Sequence, residues 1–412
     1  MTEAGIPQEI KGDAEPGFEG VREAFARNFA EHGELGAGVA VYLDGRPVVD
    51  LTGGIADRSS GRPYDDRTLQ LVFSTTKGVT ALCAHLLAQR GELDFDAPVA
   101  EYWPEFSAAG KEAVTVRWLI SHQAGLPYVE AGLTLDQVLA WDPVTEALAT
   151  QTPIWEPGTA HGYHAVTFGW LVGEVIRRVG GRSVGAFIVD EVAGPLGLDL
   201  WVGLPDAEQH RVAPLTVRGP IRASNRDGDG KAADPPPGKN LRSMIEELLG
   251  PDSLLIRALD GVRGVLSEEG MFNRPEVRAA ELPAANGVGN ARSLAKLYAA
   301  TIGEVDGVGP LLSSDQVEVA STIQVSGTDR VLVLDTTFGL GYMRSSTFSP
   351  YGGARSFGHS GMGGSMAFAD PENGLAFAYV MNRMKENLAD DPRTRGLVQA
   401  AYRAIGVEPA FL

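Results

Sequence analysis

Two β-rich stretches, one toward each end of a 412-residue chain, constrain the fold more than any other feature of this sequence. The first, Gly36 to Gly54, reads GAGVAVYLDGRPVVDLTGG, with two strand-forming runs around Asp44-Gly45. That dipeptide tolerates the positive φ angles of a tight hairpin turn. The second, SMAFADPENGLAFAYVMN, sets the runs Ser365 to Ala369 and Leu375 to Met381 on either side of a turn at Asp370 to Gly374. An isolated hairpin is at best marginally stable, so the simplest assembly is one antiparallel sheet built from both ends of the chain. Apolar residues at helical spacing over Phe18 to Glu31, and a helical pattern over Thr394 to Ala404, predict helices that back this sheet. The intervening chain reads as mostly helical. It includes helices over Val79 to Arg90, stopped by Gly91, and over Val166 to Val179, stopped by Gly180 and Gly181. The stretch Ala232 to Lys239, with three consecutive prolines, reads as a surface loop. The expected architecture is α+β. Residues 1–73 and 330–412 form a discontinuous sheet domain, 74–329 form a mostly helical region, and a cleft lies at their interface.

Composition narrows the function. With 44% hydrophobic and 21% charged residues the chain can bury a large core. A formal net charge of −18, unrelieved by any basic run, argues against a nucleic acid partner. A single cysteine, Cys83, allows no intramolecular disulfide, and its place in an apolar helical stretch reads as core. The opening MTEAGIPQEIKGDAEPG has no basic region followed by an apolar one, and no apolar run is long enough to span a bilayer. A cytoplasmic protein without membrane association is therefore expected. No phosphate-cradling or dinucleotide-type glycine motif stands between a strand and a helix, so no cofactor is implied.

Three segments carry chemistry. Ser74-Thr75-Thr76-Lys77 follows a β-like run, Leu69 to Phe73, and begins a helix. Residues three apart share a helix face, so the Lys77 amine can reach the Ser74 hydroxyl and take its proton. The unpaired N–H groups at the helix start favour negative charge beside Ser74. A second tetrad, Ser293-Leu294-Ala295-Lys296, follows Asn290, a helix cap, and reads as an ordinary polar helix face with Lys296 in solvent. Tyr163 lies in a glycine-containing loop, PGTAHGYHA, that leads into a helix. Lys and Tyr both titrate near 10, and bringing one to neutrality as a base takes about 4 kcal/mol. Their mutual proximity can supply it, through a cation that favours phenolate or through desolvation that favours neutral amine. The third segment, Gly358-His359-Ser360-Gly361-Met362-Gly363-Gly364, enters the C-terminal hairpin. Its glycines admit close backbone approach, and the Met362 N–H is placed to complete an oxyanion hole with that of Ser74.

Other readings of these residues are weaker. His161 and His164, three apart, have no acidic or cysteine ligand spaced with them, so no metal is expected. Gly358 to Met362 is similar to the GxSxG elbow of α/β-hydrolases but ends in Met, and strand–helix alternation is absent.

In their order, an SxxK tetrad, a loop Tyr and a His-Ser-Gly triplet resemble the serine β-lactamase and penicillin-binding-protein superfamily. Leu119 to Pro127, LISHQAGLP, is similar to a further segment of that superfamily, and the likeness runs from about Gly36 to Asn382. The resemblance implies a β-lactamase/transpeptidase-like fold. It also implies acylation of Ser74, proton exchange through Lys77 and Tyr163, and an oxyanion held by the Ser74 and Met362 N–H groups. His359 and Gly361 line the pocket, with His359 hydrogen-bonded to Tyr163 or to substrate, and Asn286 and Gly287 border it. Class C β-lactamases carry Tyr-x-Asn and Lys-Thr-Gly, whereas this chain has Tyr163-His164-Ala165 and His359-Ser360-Gly361. The departures remove an amide for the lactam side chain and a cation for its carboxylate. They are similar to those of family VIII carboxylesterases, which implies a serine carboxylesterase acting on small esters. The alternatives are β-lactamase, D-amino-acid peptidase or amidase activity, acyl transfer at the same site, or a pseudoenzyme that keeps the fold without the reaction.

Overall fold

The computed structural model of the protein describes residues 9–217, 246–247, 249–385 and 391–410. The expected loop at Ala232 to Lys239 lies outside them. The central element is a ten-stranded sheet, antiparallel throughout. Its strands are β1 (Ile10–Ala14), β2 (Gly36–Leu43), β3 (Arg46–Asp57), β4 (Arg62–Pro63), β5 (Val325–Thr328), β6 (Asp335–Phe338), β7 (Met343–Arg344), β8 (Phe357–Ser360), β9 (Met366–Asp370) and β10 (Leu375–Met381). Their spatial order is β1-β3-β2-β10-β9-β8-β7-β6-β5, with β4 beside β3. Both predicted hairpins are present. They join where β2 pairs with β10, from Ala37 opposite Met381 to Leu43 opposite Leu375. The first turn has Asp44 at φ 49° and Gly45 at φ 75°, as the Asp-Gly pair predicts.

Five helices matter for the site: α1 (Glu19–Ala30), α2 (Thr76–Gln89), α3 (Thr167–Gly180), α4 (Ala291–Ile302) and α5 (Pro392–Ala404). Successive residues of a strand face opposite sides of a sheet, and β2 displays both. A side chain on Gly38 would meet Ala291 of α4, whereas one on Gly53, the register partner of Ala37, would meet Phe29 of α1. The sheet is therefore covered on both faces, by α4 on one and by α1, packed with α5, on the other. This explains why β2 and β10 are continuous apolar runs rather than alternating ones.

α2 is buried from Thr76 to Leu87, on every side, as a helix through the middle of a core must be. It starts three residues earlier than its apolar pattern suggests. The run expected as a strand over Leu69 to Phe73 is a strand only at Gln70–Leu71, which pairs with Val288–Gly289. Cys83 is buried on α2. At the second SxxK tetrad Asn290 is indeed the helix cap, accepting the Ser293 N–H at 2.8 Å. Lys296, expected in solvent, instead donates to Leu196 O and pairs with Asp306, each at 2.7 Å. Among the described residues no helix is long and apolar enough to cross a membrane.

Candidate active site

Ser74 sits in a 3-10 turn, Phe73–Thr75, that runs directly into α2. Phe73 holds φ 45°, a conformation that costs a bulky residue on the order of 1–3 kcal/mol and persists only where its surroundings enforce it. The enforcing contacts are visible. The Phe73 ring packs edge-on against Phe272 at 5.0 Å, and the Thr76 hydroxyl donates to Phe73 O at 2.5 Å. The turn is also tied to the loop before Val288, through Val72 N–H to Gly287 O at 2.9 Å and Gly287 N–H to the Thr76 hydroxyl at 2.8 Å. Ser74 remains partly open to solvent while its neighbours are buried.

One helical turn on, Lys77 is fully buried, and its Nζ lies 3.0 Å from Ser74 Oγ, 2.6 Å from Ala165 O and 3.0 Å from Ala284 O. Burial drives its pKa well below the ordinary lysine value. Carbonyls can only accept, so Ala165 O and Ala284 O each take an N–H of Lys77, and the third contact is with the Ser74 hydroxyl, which the neutral amine meets with its lone pair.

The Tyr163 ring lies 4.8 Å from Lys77 Nζ, and the nearby Ser74 side chain pulls the pKa of its phenol down. The three groups meet at one place. Burial raises the Tyr163 pKa above its usual value, outweighing the pull of Ser74. Of the two routes by which the pair could reach neutrality, desolvation of the amine prevails over formation of a phenolate. Lys77 is thus equipped to accept a proton and Tyr163 to give one.

Sequence reading did not reach the groups that aim Tyr163. Three consecutive backbone N–H groups of its loop are held from outside. Gly162 N–H donates to His122 O at 3.0 Å, Tyr163 N–H to Asp329 Oδ1 at 3.1 Å, and His164 N–H to His122 Nδ1 at 3.2 Å. His122, within the LISHQAGLP segment, takes φ 63° to do this. Asp329 is fully buried in the connection between β5 and β6, and the same oxygen also accepts Val331 and Leu332 N–H at 2.8 and 2.9 Å. Burial raises its pKa, while these donors and His161 pull it back. His161 contacts the Thr336 hydroxyl. Both nitrogens of His164 are used, by Gly162 O and Leu126 N–H.

His359, on β8, is fully buried with its ring 6.0 Å from that of Tyr163. Of the two expected partners, Tyr163 and the substrate, Tyr163 is not hydrogen-bonded to His359. Nδ1 lies 2.7 Å from Ser360 O and must carry the proton there, while Nε2 has no partner among the described residues. Burial, assisted by Lys77, lowers its pKa to about 3, so the imidazole is neutral. Gly361 lies against the Ser74 turn, where a Cβ would come 2.2 Å from Val72 O and 3.0 Å from the Thr75 hydroxyl. Met362 is 43% exposed, and its N–H donates to no backbone carbonyl among the described residues. Asn286, expected at the pocket border, is fully buried and committed to its own loop. Its amide donates to Val277 O and Ala280 O at 2.8 and 2.6 Å and its oxygen accepts Leu282 N–H at 2.9 Å, so it has no donor left for a substrate.

Comparison with known proteins identifies the family. A family model described as Beta-lactamase matches residues 21–402. The chain is 37% identical over 379 residues to the esterase/beta-lactamase LipL of Mycobacterium tuberculosis (strain ATCC 25618 / H37Rv), covering 91% of this chain and 83% of that protein. Among solved structures, a family VIII carboxylesterase superposes with a TM-score of 0.82 at 36% identity, over 96% of this chain and 100% of the other. A penicillin-binding protein homologue from Caulobacter crescentus superposes with a TM-score of 0.80 at 39% identity over the same shares. The buried strands, the fold they build and these similarities agree, and the chain belongs to the β-lactamase family as a serine hydrolase of the β-lactamase fold.

Proposed function

We propose that the protein is a carboxylesterase that cleaves small esters through an acyl-enzyme on Ser74. The neutral Lys77 amine takes the Ser74 proton as Oγ attacks the ester carbonyl. The oxyanion that forms is held by the N–H groups of Ser74 and Met362. As the C–O bond breaks, the Tyr163 phenol gives its proton to the departing alkoxide, and the Lys77 ammonium restores it. Water then gives a proton to Lys77 while its oxygen attacks the acyl group. The Ser74 alkoxide leaves with that proton, and the acid is released.

The observation that carries the ester reading is the neutrality of the site. His359 is an uncharged imidazole where a β-lactamase presents a cation, Ala165 offers a methyl where it presents an amide, and Lys77 is desolvated. A small uncharged ester needs none of the missing groups. The likeness to a family VIII carboxylesterase over 96% of this chain supports the same reading. β-Lactam or amide cleavage is the second reading, favoured by the double name of the mycobacterial relative. Rates on p-nitrophenyl butyrate, a cephalosporin and a D-alanyl amide separate them, and faster turnover of either amide overturns the ester assignment.

Ser74→Ala, Lys77→Ala and Tyr163→Phe are each expected to lower ester turnover by roughly 10³-fold or more with folding intact. Full activity in Ser74→Ala rejects the mechanism. A fluorophosphonate probe that labels the wild type at Ser74 distinguishes the enzyme from a pseudoenzyme.

A further inference from the structure

The two N–H groups assigned to the oxyanion hole come from distant parts of the chain, Ser74 in the turn before α2 and Met362 in the loop after β8. Neither segment fixes by itself where the other stands. One buried hydroxyl joins them. Ser365 is 1% exposed, and its Oγ donates to Val72 O at 2.8 Å and accepts from the Thr75 hydroxyl at 3.2 Å, touching the turn on both sides of Ser74. The Ser365 carbonyl accepts Gly361 N–H at 2.7 Å, which closes the loop around Met362, and Gly364 N–H returns to Gly361 O at 3.2 Å. The contact is too close for any side chain at residue 361, where a Cβ would lie 2.2 Å from both Ser365 Oγ and Val72 O. Behind the loop, Arg393 Nη2 donates to Gly363 O at 2.5 Å.

We propose that Ser365 is a positioning residue, whose hydroxyl sets the separation and orientation of the Ser74 and Met362 N–H groups as a single oxyanion hole. The inference rests on the acyl-enzyme reading above. Donors of this kind act only when each lies about 2.7–3.1 Å from the developing oxyanion, so a small slip of one segment against the other weakens both. Replacing Ser365 with Ala removes the cross-link but leaves no orphaned carbonyl, because Val72 O still accepts Thr75 N–H at 3.2 Å.

The test compares the wild type, Ser365→Ala and Thr75→Val, which loses the facing hydroxyl, on p-nitrophenyl butyrate and on an alkylboronic acid that mimics the tetrahedral intermediate. Ser365→Ala is expected to lower kcat by roughly ten- to a hundredfold with KM within about threefold, and boronate affinity is expected to fall in parallel with kcat. Thr75→Val shifts both in the same direction by less. Unchanged kcat and boronate affinity in a folded Ser365→Ala protein overturn the proposal. So does an equal rise in KM and in the boronate dissociation constant, which signals a disturbed pocket. Should Ser365→Ala not fold, Thr75→Val decides alone, and wild-type kcat and boronate affinity there overturn the proposal. Ser74→Ala serves as control. If it stays active the acyl-enzyme reading has failed, and if it is inactive while Ser365→Ala is unaffected, only the present inference has.

Discussion

A lysine whose ammonium would have to be buried behaves differently from one in solvent, and Lys77 makes that difference measurable in two ways. The proposed mechanism requires the neutral amine, so kcat/KM for an ester is expected to rise with pH along an acidic limb whose midpoint lies well below 10.5, and Lys77→Arg is expected to be inactive throughout. Stability follows the same proton. Between the depressed folded-state pKa and the unfolded value of 10.5 the unfolded chain binds more protons at residue 77, so this group makes unfolding free energy increase with pH. Urea denaturation from pH 7 to 10 is expected to show the wild type gaining on Lys77→Met as pH rises, and a pH-independent difference would refute neutral Lys77. Asp329 acts on the same site from a distance, through the Tyr163 N–H. Asp329→Ala is expected to lower kcat by about tenfold with little change in KM, since a small misplacement of a catalytic group can cost that much. Asp329→Asn, which keeps an acceptor oxygen, should restore most of it, and steady-state kinetics on the pair decides. The SxxK tetrad and Tyr163 could be read from residue types, because their spacing and chemistry are local. Asp329 and His122 could not, because an acceptor for a backbone N–H 166 residues away leaves no mark in the sequence.

At the level of elements, the turns were the most legible parts and the strand ends the least. Asp44-Gly45 announced its turn because backbone sterics there are a property of two residues. The structure adds a reason for Gly45 that no turn rule contains, since a Cβ on it would lie 1.9 Å from Glu304 O, just beyond α4. Gly45→Ala is therefore expected to lower the unfolding free energy by more than the roughly 1 kcal/mol typical of a glycine-to-alanine change in an unsuitable conformation. Its kcat per folded molecule should be unchanged, and thermal melts with active-site titration check both halves. Leu69 to Phe73 shows the opposite case. Its residues favour a strand, yet only Gln70–Leu71 forms one, with Leu69 in a single bridge to Val212, because the chain must turn at Phe73 to present Ser74 at the head of α2. Local preference yields there to contacts with Phe272 and Thr76.

Across the whole molecule, the two chain ends are locked together by more than sheet pairing. Arg393, in the first turn of α5, is 1% exposed and pairs at 2.7 Å with Glu34, which is fully buried just before β2, and it also holds Asp391 and the Gly363 carbonyl. Glu34 is further hydrogen-bonded to the Tyr379 hydroxyl of β10. Removing one member strands a buried charge, so Arg393→Met is expected to cost about 3–5 kcal/mol in chemical denaturation. The double variant Arg393→Met, Glu34→Gln should recover part of that loss, and no recovery would argue against charge pairing as the cause. Residue types and spacing were enough for the hairpins, the helices with strong apolar patterns, the α+β class and the choice of three candidate segments. Each of these depends on side-chain chemistry within a few neighbouring positions. Only the closed fold brings the burial that lowers the Lys77 pKa, the bond of His359 to Ser360 rather than to Tyr163, the commitment of Asn286 to its own loop, and the contacts that Asp329, His122 and Ser365 make beside the site. Those outcomes depend on desolvation and on partners far along the chain, and both come into being only when the chain closes on itself.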